Sequence, residues 1–241
     1  MGDPNLTSRV FEAIRSKRYP DLRTDNPDRL QPHVELAPAA LPRYAFDRLA
    51  IRAREAVRGR QPWLTSDSLA LLDQLLRPTD RGLEYGAGGT TLWFASRVES
   101  LDSVEGKEQW YEPLRQQLDA RRLTNVQLHL VSVDAMGHDT EEHRRAYVNV
   151  RPDLEASSLD FVLVDGEYRD ACALRAVELL KPGGLLILDN ATTYLPATTR
   201  SPWRVERPAT GAWEKFVNHV ATWRNVWTTN GVWDTAIWIK P

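Results

Sequence analysis

The chain has 241 residues, enough for one large α/β domain with its own core. Its 31 Lys and Arg against 33 Asp and Glu leave a net charge of −2, with 42% hydrophobic and 27% charged residues. That balance offers no electrostatic footprint for nucleic acid or an anionic membrane, no apolar run approaches the ~20 residues of a membrane span, and the single cysteine, Cys172, excludes an internal disulfide.

The N-terminus lacks the basic start and apolar run of a signal peptide, so a cytoplasmic, soluble protein is expected. Residues 1–62 carry a net of +4 and the remainder −6, as if a basic segment lay on an acidic body. Residues 1–44 are broken by Pro20, Pro27, Pro32, Pro38 and Pro42. A short helix is predicted near Ser8–Lys17. A second is predicted over Ala45–Arg58, with Phe46, Leu49, Ala53, Ala56 and Val57 on its apolar face and Arg48, Arg52, Arg54 and Arg58 on a solvated one. Thr65, Ser66 and Asp67 can cap a helix over Leu69–Leu76 that stops before Pro78.

From residue 81 the pattern alternates. Strands are predicted at Arg81–Gly86, Leu101–Glu105, Val126–Val133, Leu159–Asp165 and Gly184–Asp189. Helices are predicted at Thr90–Val98, around Trp110, Leu114 and Leu118, and at Arg169–Leu180, while residues 136–157 are polar and ambiguous. Short apolar strands separated by helices imply a parallel sheet covered on both faces. After a long loop over 191–211 come a helix near Ala212–Trp223 and two strands, Asn225–Thr229 and Val232–Lys240. Asn230-Gly231 between them is a strong hairpin signal. Six of the nine tryptophans lie beyond residue 200, which points to an aromatic C-terminal core or pocket.

The chemistry concentrates in Glu84-Tyr85-Gly86-Ala87-Gly88-Gly89-Thr90-Thr91, between an apolar strand and a helix. There a ligand can meet strand C-termini and a helix N-terminus. Gly86 and Gly88 permit a tight turn and close backbone approach. Glu84-x-Gly86-x-Gly88 resembles the first motif of class I S-adenosylmethionine-dependent methyltransferases. The resemblance continues in order from about Trp63 to Lys240. Ser103-Val104-Glu105 looks like the end of strand two, Val133-Asp134-Ala135 like the segment that meets adenine, and Asp160 to Gly166 like the fourth motif. Lys181-Pro182-Gly183-Gly184 looks like the turn before strand five, and the closing hairpin matches the family's antiparallel last strand.

The resemblance implies a doubly wound, mostly parallel seven-stranded sheet with an antiparallel last strand, the Rossmann-like methyltransferase fold. Residues 63–241 would form that domain and residues 1–62, which find no match, an N-terminal helical cap. It implies S-adenosylmethionine as cofactor, contacted by Glu84, Gly86, Ala87, Gly88, Thr90, Thr91, Glu105, Asp134 and Asp165. Glu105 stands 19 residues beyond Gly86, where a ribose-binding carboxylate belongs. Asp165 is also the expected catalytic residue, acting on a small-molecule, oxygen-bearing acceptor. Asp165 with Asp189 and Asn190 resembles the three metal ligands of catechol- and caffeoyl-CoA-type O-methyltransferases. Oxygen ligands suit Mg2+, yet Asp-Asn after a strand is also ordinary turn chemistry.

Several alternatives stand beside this reading. His138 and His143 are either general bases or solvated loop residues, whereas His129 and Cys172 read as structural. An NAD-dependent oxidoreductase partly fits Gly86, Gly88 and Glu105, although Thr91 replaces the third glycine of G-x-G-x-x-G. A non-catalytic binding protein would keep the same motifs. The oligomeric state stays open.

Overall fold

The computed structural model describes residues 40–58, 62–132, 140–201 and 208–241. Helix α1 (Leu41–Arg58) and helix α2 (Ser66–Leu75) precede the alternating part. Then follow β1 (Arg81–Tyr85), α3 (Gly89–Ala95), β2 (Ser100–Glu105), α4 (Glu108–Arg121) and β3 (Val126–Leu130). Next come α5 (Glu141–Val148), β4 (Leu159–Val164), α6 (Arg169–Leu179) and β5 (Leu180–Asp189). A 3-10 turn (Ala191–Thr193), α7 (Gly211–Val220), β6 (Arg224–Thr229) and β7 (Asp234–Ile239) complete the chain.

The seven strands form one sheet in the order β3-β2-β1-β4-β5-β7-β6. All pairings are parallel except those of β7, which runs antiparallel to both β5 and β6. Strand order reverses between β1 and β4, and such a switch point opens a crevice at the strand C-termini. Both sheet faces are apolar, because side chains alternate across each strand and both sides are covered. Val162, Val164, Leu186, Leu188 and Trp238 join one core, which α6 and α7 cover with Cys172, Ala176, Trp213 and Phe216. Phe161, Leu163, Leu185, Ile187 and Ile237 join the other, with Leu72 of α2 and Phe94 of α3.

Several elements differ in detail from expectation. The polar 136–157 stretch contains α5, capped by Thr140, whose hydroxyl accepts from the His143 amide. The hairpin loop is four residues rather than two, since Thr229 pairs with Asp234. There the Asn230 carboxamide oxygen accepts from the amides of Val232 and Trp233. In α1 the face turned inward carries Tyr44 and Asp47, while Phe46 and Leu49 are 67% and 65% exposed, against the expected apolar face. Trp110 likewise stands 46% exposed at the start of α4, whose buried residues are Leu114 and Leu118. The C-terminal tryptophans mostly build core: Trp213, Trp223 and Trp238 are buried. Among the described residues no helix is long and apolar enough to cross a membrane. The helix expected near Ser8–Lys17 lies outside the described residues.

Candidate active site

The ends of β1, β2, β4 and β5 meet on one edge of the sheet, which brings Gly86, Glu105, Asp165 and Asp189 together there. Gly86 has φ +98°, and a Cβ on it would fall 2.6 Å from the Gly166 backbone nitrogen. Reciprocally, a Cβ on Gly166 would lie 2.7 Å from the Gly86 nitrogen and 2.0 Å from the Tyr147 hydroxyl. The loops after β1 and β4 therefore touch backbone to backbone, and only glycine allows it. Gly88 is different. Its backbone is extended, and a Cβ there would meet nothing within 4 Å, so the position opens onto free space.

Glu84 supports this turn from below. It is fully buried and accepts hydrogen bonds from the hydroxyls of Thr90, Thr91 and Ser103. Burial pushes its carboxyl up to about 7 despite these three donors. The Thr91 hydroxyl in turn accepts from the Gly88 amide at 2.9 Å, while the amides of Gly86 and Ala87 both donate to the Val104 carbonyl. The expected cofactor contacts at Glu84, Thr90 and Thr91 are thus side chains spent on bracing the turn. Glu84 and Thr91 are fully buried and Thr90 nearly so.

Glu105 ends β2 half-buried and accepts from the Lys107 amide at 2.9 Å. Burial first, and then the charge of Glu167, push its carboxyl up to about 7. The Glu167 carboxyl lies over Gly106, where an added Cβ would come within 2.9 Å of it. The crevice floor between β1 and β2 is therefore flanked by two acids, of which the sequence pattern marked one. Asp134 lies outside the described residues, as does His138.

Beyond β4 the site is organised by a residue that the sequence reading passed over. Arg169, at the first turn of α6, is 8% exposed. Its Nε donates to the Gly166 carbonyl at 3.0 Å and one terminal nitrogen to the Asp189 carbonyl at 2.7 Å. The other terminal nitrogen donates to both the carbonyl and the carboxylate of Asp165, the latter at 2.7 Å. Its guanidinium also lies 5.4 Å from the Tyr194 ring centroid. One cation thus ties the ends of β4 and β5 together.

The residues expected to hold a metal do not fit one. Asp189 is 2% exposed, with one carboxylate oxygen accepting from the Thr235 hydroxyl and the other from the Asn190 amide, both at 2.8 Å. Burial, and then the nearby Asp165, raise its carboxyl well above the usual range. Asn190 turns its nitrogen, a donor, toward Asp189, and Asp165 is paired with Arg169. Among the described residues no cluster of three His, Cys, Asp or Glu could hold an ion. The Asp-Asn pair behaves here as strand-end turn chemistry.

No protein-family model matches the chain. No curated protein matches it in sequence. Its fold has clear counterparts among solved structures. A caffeoyl-CoA O-methyltransferase-like protein from Staphylococcus aureus aligns over 96% of this chain and 100% of its own, with TM-score 0.52 and 12% identity. A methyltransferase-like protein from Silicibacter pomeroyi aligns over 75% of this chain and 90% of its own, with TM-score 0.50 and 19% identity. This is the Rossmann-like methyltransferase fold. At these identities the likeness is one of fold, and the site must be argued from its own residues.

Two of the described histidines, His143 and His129, are held in hydrogen bonds within the protein. His143 is fully buried, its Nδ1 2.7 Å from the Tyr168 hydroxyl and its Nε2 2.9 Å from the Val131 carbonyl. Both ring nitrogens are engaged within the protein, which sets this residue apart from a solvated loop histidine. His129 pairs with Asp102, which Arg151 also holds. Cys172 is buried in the core. Further along the same edge, a cavity of about 560 Å³ is lined by Pro196, Thr198, Arg200, Trp227, Thr229 and Asp234.

Proposed function

We propose that this protein is an S-adenosylmethionine-dependent methyltransferase acting on a small-molecule oxygen acceptor. One observation carries the choice of cofactor. The first three amides of the glycine turn, at Gly86, Ala87 and Gly88, all donate within the protein, and the crevice beside them is flanked by Glu105 and Glu167. A dinucleotide needs free turn amides for its pyrophosphate, and these three are taken. A sulfonium cation with an ammonium group and a ribose diol suits the same crevice. Gly88 leaves the room such a ligand requires.

Bound there, the cofactor supplies a methyl group on a positively charged sulfur, ready for in-line displacement. Glu105 accepts the ribose hydroxyls. Gly86 and Ala87 shape the turn, and Glu84, Thr90 and Thr91 hold that shape from below. Asp165, with 19% of its side chain exposed, keeps a face toward the crevice and orients the acceptor, its own position fixed by Arg169. Such transfer depends mainly on alignment and desolvation. The cavity beyond β5 has room for a small acceptor.

The test is a thermal-shift titration with S-adenosylhomocysteine and with NAD, because a ligand bound to the native state raises its melting temperature. S-adenosylhomocysteine is expected to raise it and NAD to leave it unchanged. A shift with NAD and none with S-adenosylhomocysteine would overturn the reading.

A further inference from the structure

We propose that the Arg169 guanidinium occupies the place of a divalent cation at the acceptor end of the site, so that this protein acts on acceptors needing no Lewis acid. The inference rests on the proposed methyl-transfer reading only for what the site acts on. The oxygens that converge there are the Asp165 carboxylate and the carbonyls of Asp165, Gly166 and Asp189, and Arg169 donates to every one of them. These are hard oxygen donors at the ends of adjacent strands, the type of set that magnesium takes. Here a fixed positive charge already fills it, 8% exposed and braced by Tyr194. A second cation would meet the guanidinium at contact distance, where like charges in a partly dry site repel.

The remaining candidate ligands point elsewhere. Both carboxylate oxygens of Asp189 are engaged by Thr235 and Asn190. The chemical consequence concerns the acceptor. A vicinal diol gains its advantage by chelating a metal that lowers its hydroxyl pKa. A site with a built-in guanidinium gives it no such advantage. The arrangement favours an oxygen nucleophile already ionised at neutral pH, such as a carboxylate. A guanidinium cannot be removed by a chelator, and turnover on such an acceptor would persist in one.

Titration with Mn2+, followed by electron paramagnetic resonance on the full-length chain, tests this directly. Wild type is expected to bind no Mn2+ with a dissociation constant below about 1 mM. Arg169→Met, checked for folding by circular dichroism, is expected to gain a site at least about tenfold tighter, which Asp165→Asn then removes. Should Arg169→Met fail to fold, Arg169→Gln keeps a donor for the strand-end carbonyls and carries the same expectation. Wild type binding one Mn2+ that Asp165→Asn abolishes overturns the proposal. So does a folded Arg169 variant that gains no Mn2+ site. The S-adenosylhomocysteine shift, measured on the same samples, reports separately on the methyl-transfer reading, so the two can fail independently.

Discussion

Gly86 and Gly88 stand two residues apart in one turn and do different work, which two substitutions separate. Gly86→Ala forces a side chain into a positive-φ position against the Gly166 backbone, so it should cost about 3 kcal/mol of stability in urea unfolding. Gly88→Val places its side chain in open space. Gly88 is the N-cap of α3, so the change should cost about 1 kcal/mol of stability while abolishing the S-adenosylhomocysteine thermal shift. An unchanged shift in Gly88→Val would place the cofactor elsewhere. Glu84 makes a prediction in pH. Its folded-state pKa of about 7 lies above the ordinary 4.5, so its unfolded form releases the proton first as pH rises. Its contribution is therefore fully present below pH 4.5 and is lost as pH rises toward 7. At about 1.4 kcal/mol per pKa unit the loss approaches 3 kcal/mol. Glu84→Gln should flatten the fall in unfolding free energy between about pH 4 and pH 7 by roughly that amount, and an unaltered slope would mean that Glu84 is not the titrating group. Glu105 carries a pKa raised over the same window, so part of the slope should survive in the variant.

Ring contacts link several of the elements. Trp213 stacks on Tyr194 at 5.1 Å and meets Phe216 edge-on, and Phe216 meets Trp238 of β7 edge-on at 5.4 Å. This chain of rings seats α7 on the sheet and, through Tyr194, backs the Arg169 guanidinium. Phe216 is fully buried, so Phe216→Ala should lower stability by about 3–5 kcal/mol through lost burial and a residual cavity. Trp110→Ala, at a 46% exposed position, should change it by less than about 0.5 kcal/mol. Comparable losses in the two variants, measured as midpoint shifts in urea, would refute this packing account. The element boundaries along the sheet were readable because apolar runs of strand length alternate with helical spacing. Helix α5 was not. Its burial depends on His143 and Tyr147, a polar and an amphipathic residue whose partners, Val131, Tyr168 and Glu167, are distant in sequence.

At the scale of the whole molecule, α1 meets the far end of the chain where Asp47 lies against Gly231. A Cβ on Gly231, at φ +83°, would fall 2.0 Å from the Asp47 carboxylate. Gly231→Ala should therefore strain the hairpin and push α1 away at once, lowering the melting temperature by about 4–8 °C for a cost near 2 kcal/mol. Asp47→Ala in the same background should recover part of that loss, and no recovery would show that turn strain alone is responsible. The sequence by itself determined the strand-helix alternation, the antiparallel finish and the Gly86 turn. Each depends on neighbours in the chain: side-chain period, backbone freedom and turn chemistry. It also marked the acids that end the strands. What each acid does was decided only in three dimensions. Glu84 became a buried brace, Asp189 a strand-end hydrogen-bonder and Asp165 half of an ion pair, because their partners Ser103, Thr235 and Arg169 arrive from other elements. A carboxylate's role is fixed by its burial and by the donors that surround it, and both are properties of the packed sheet.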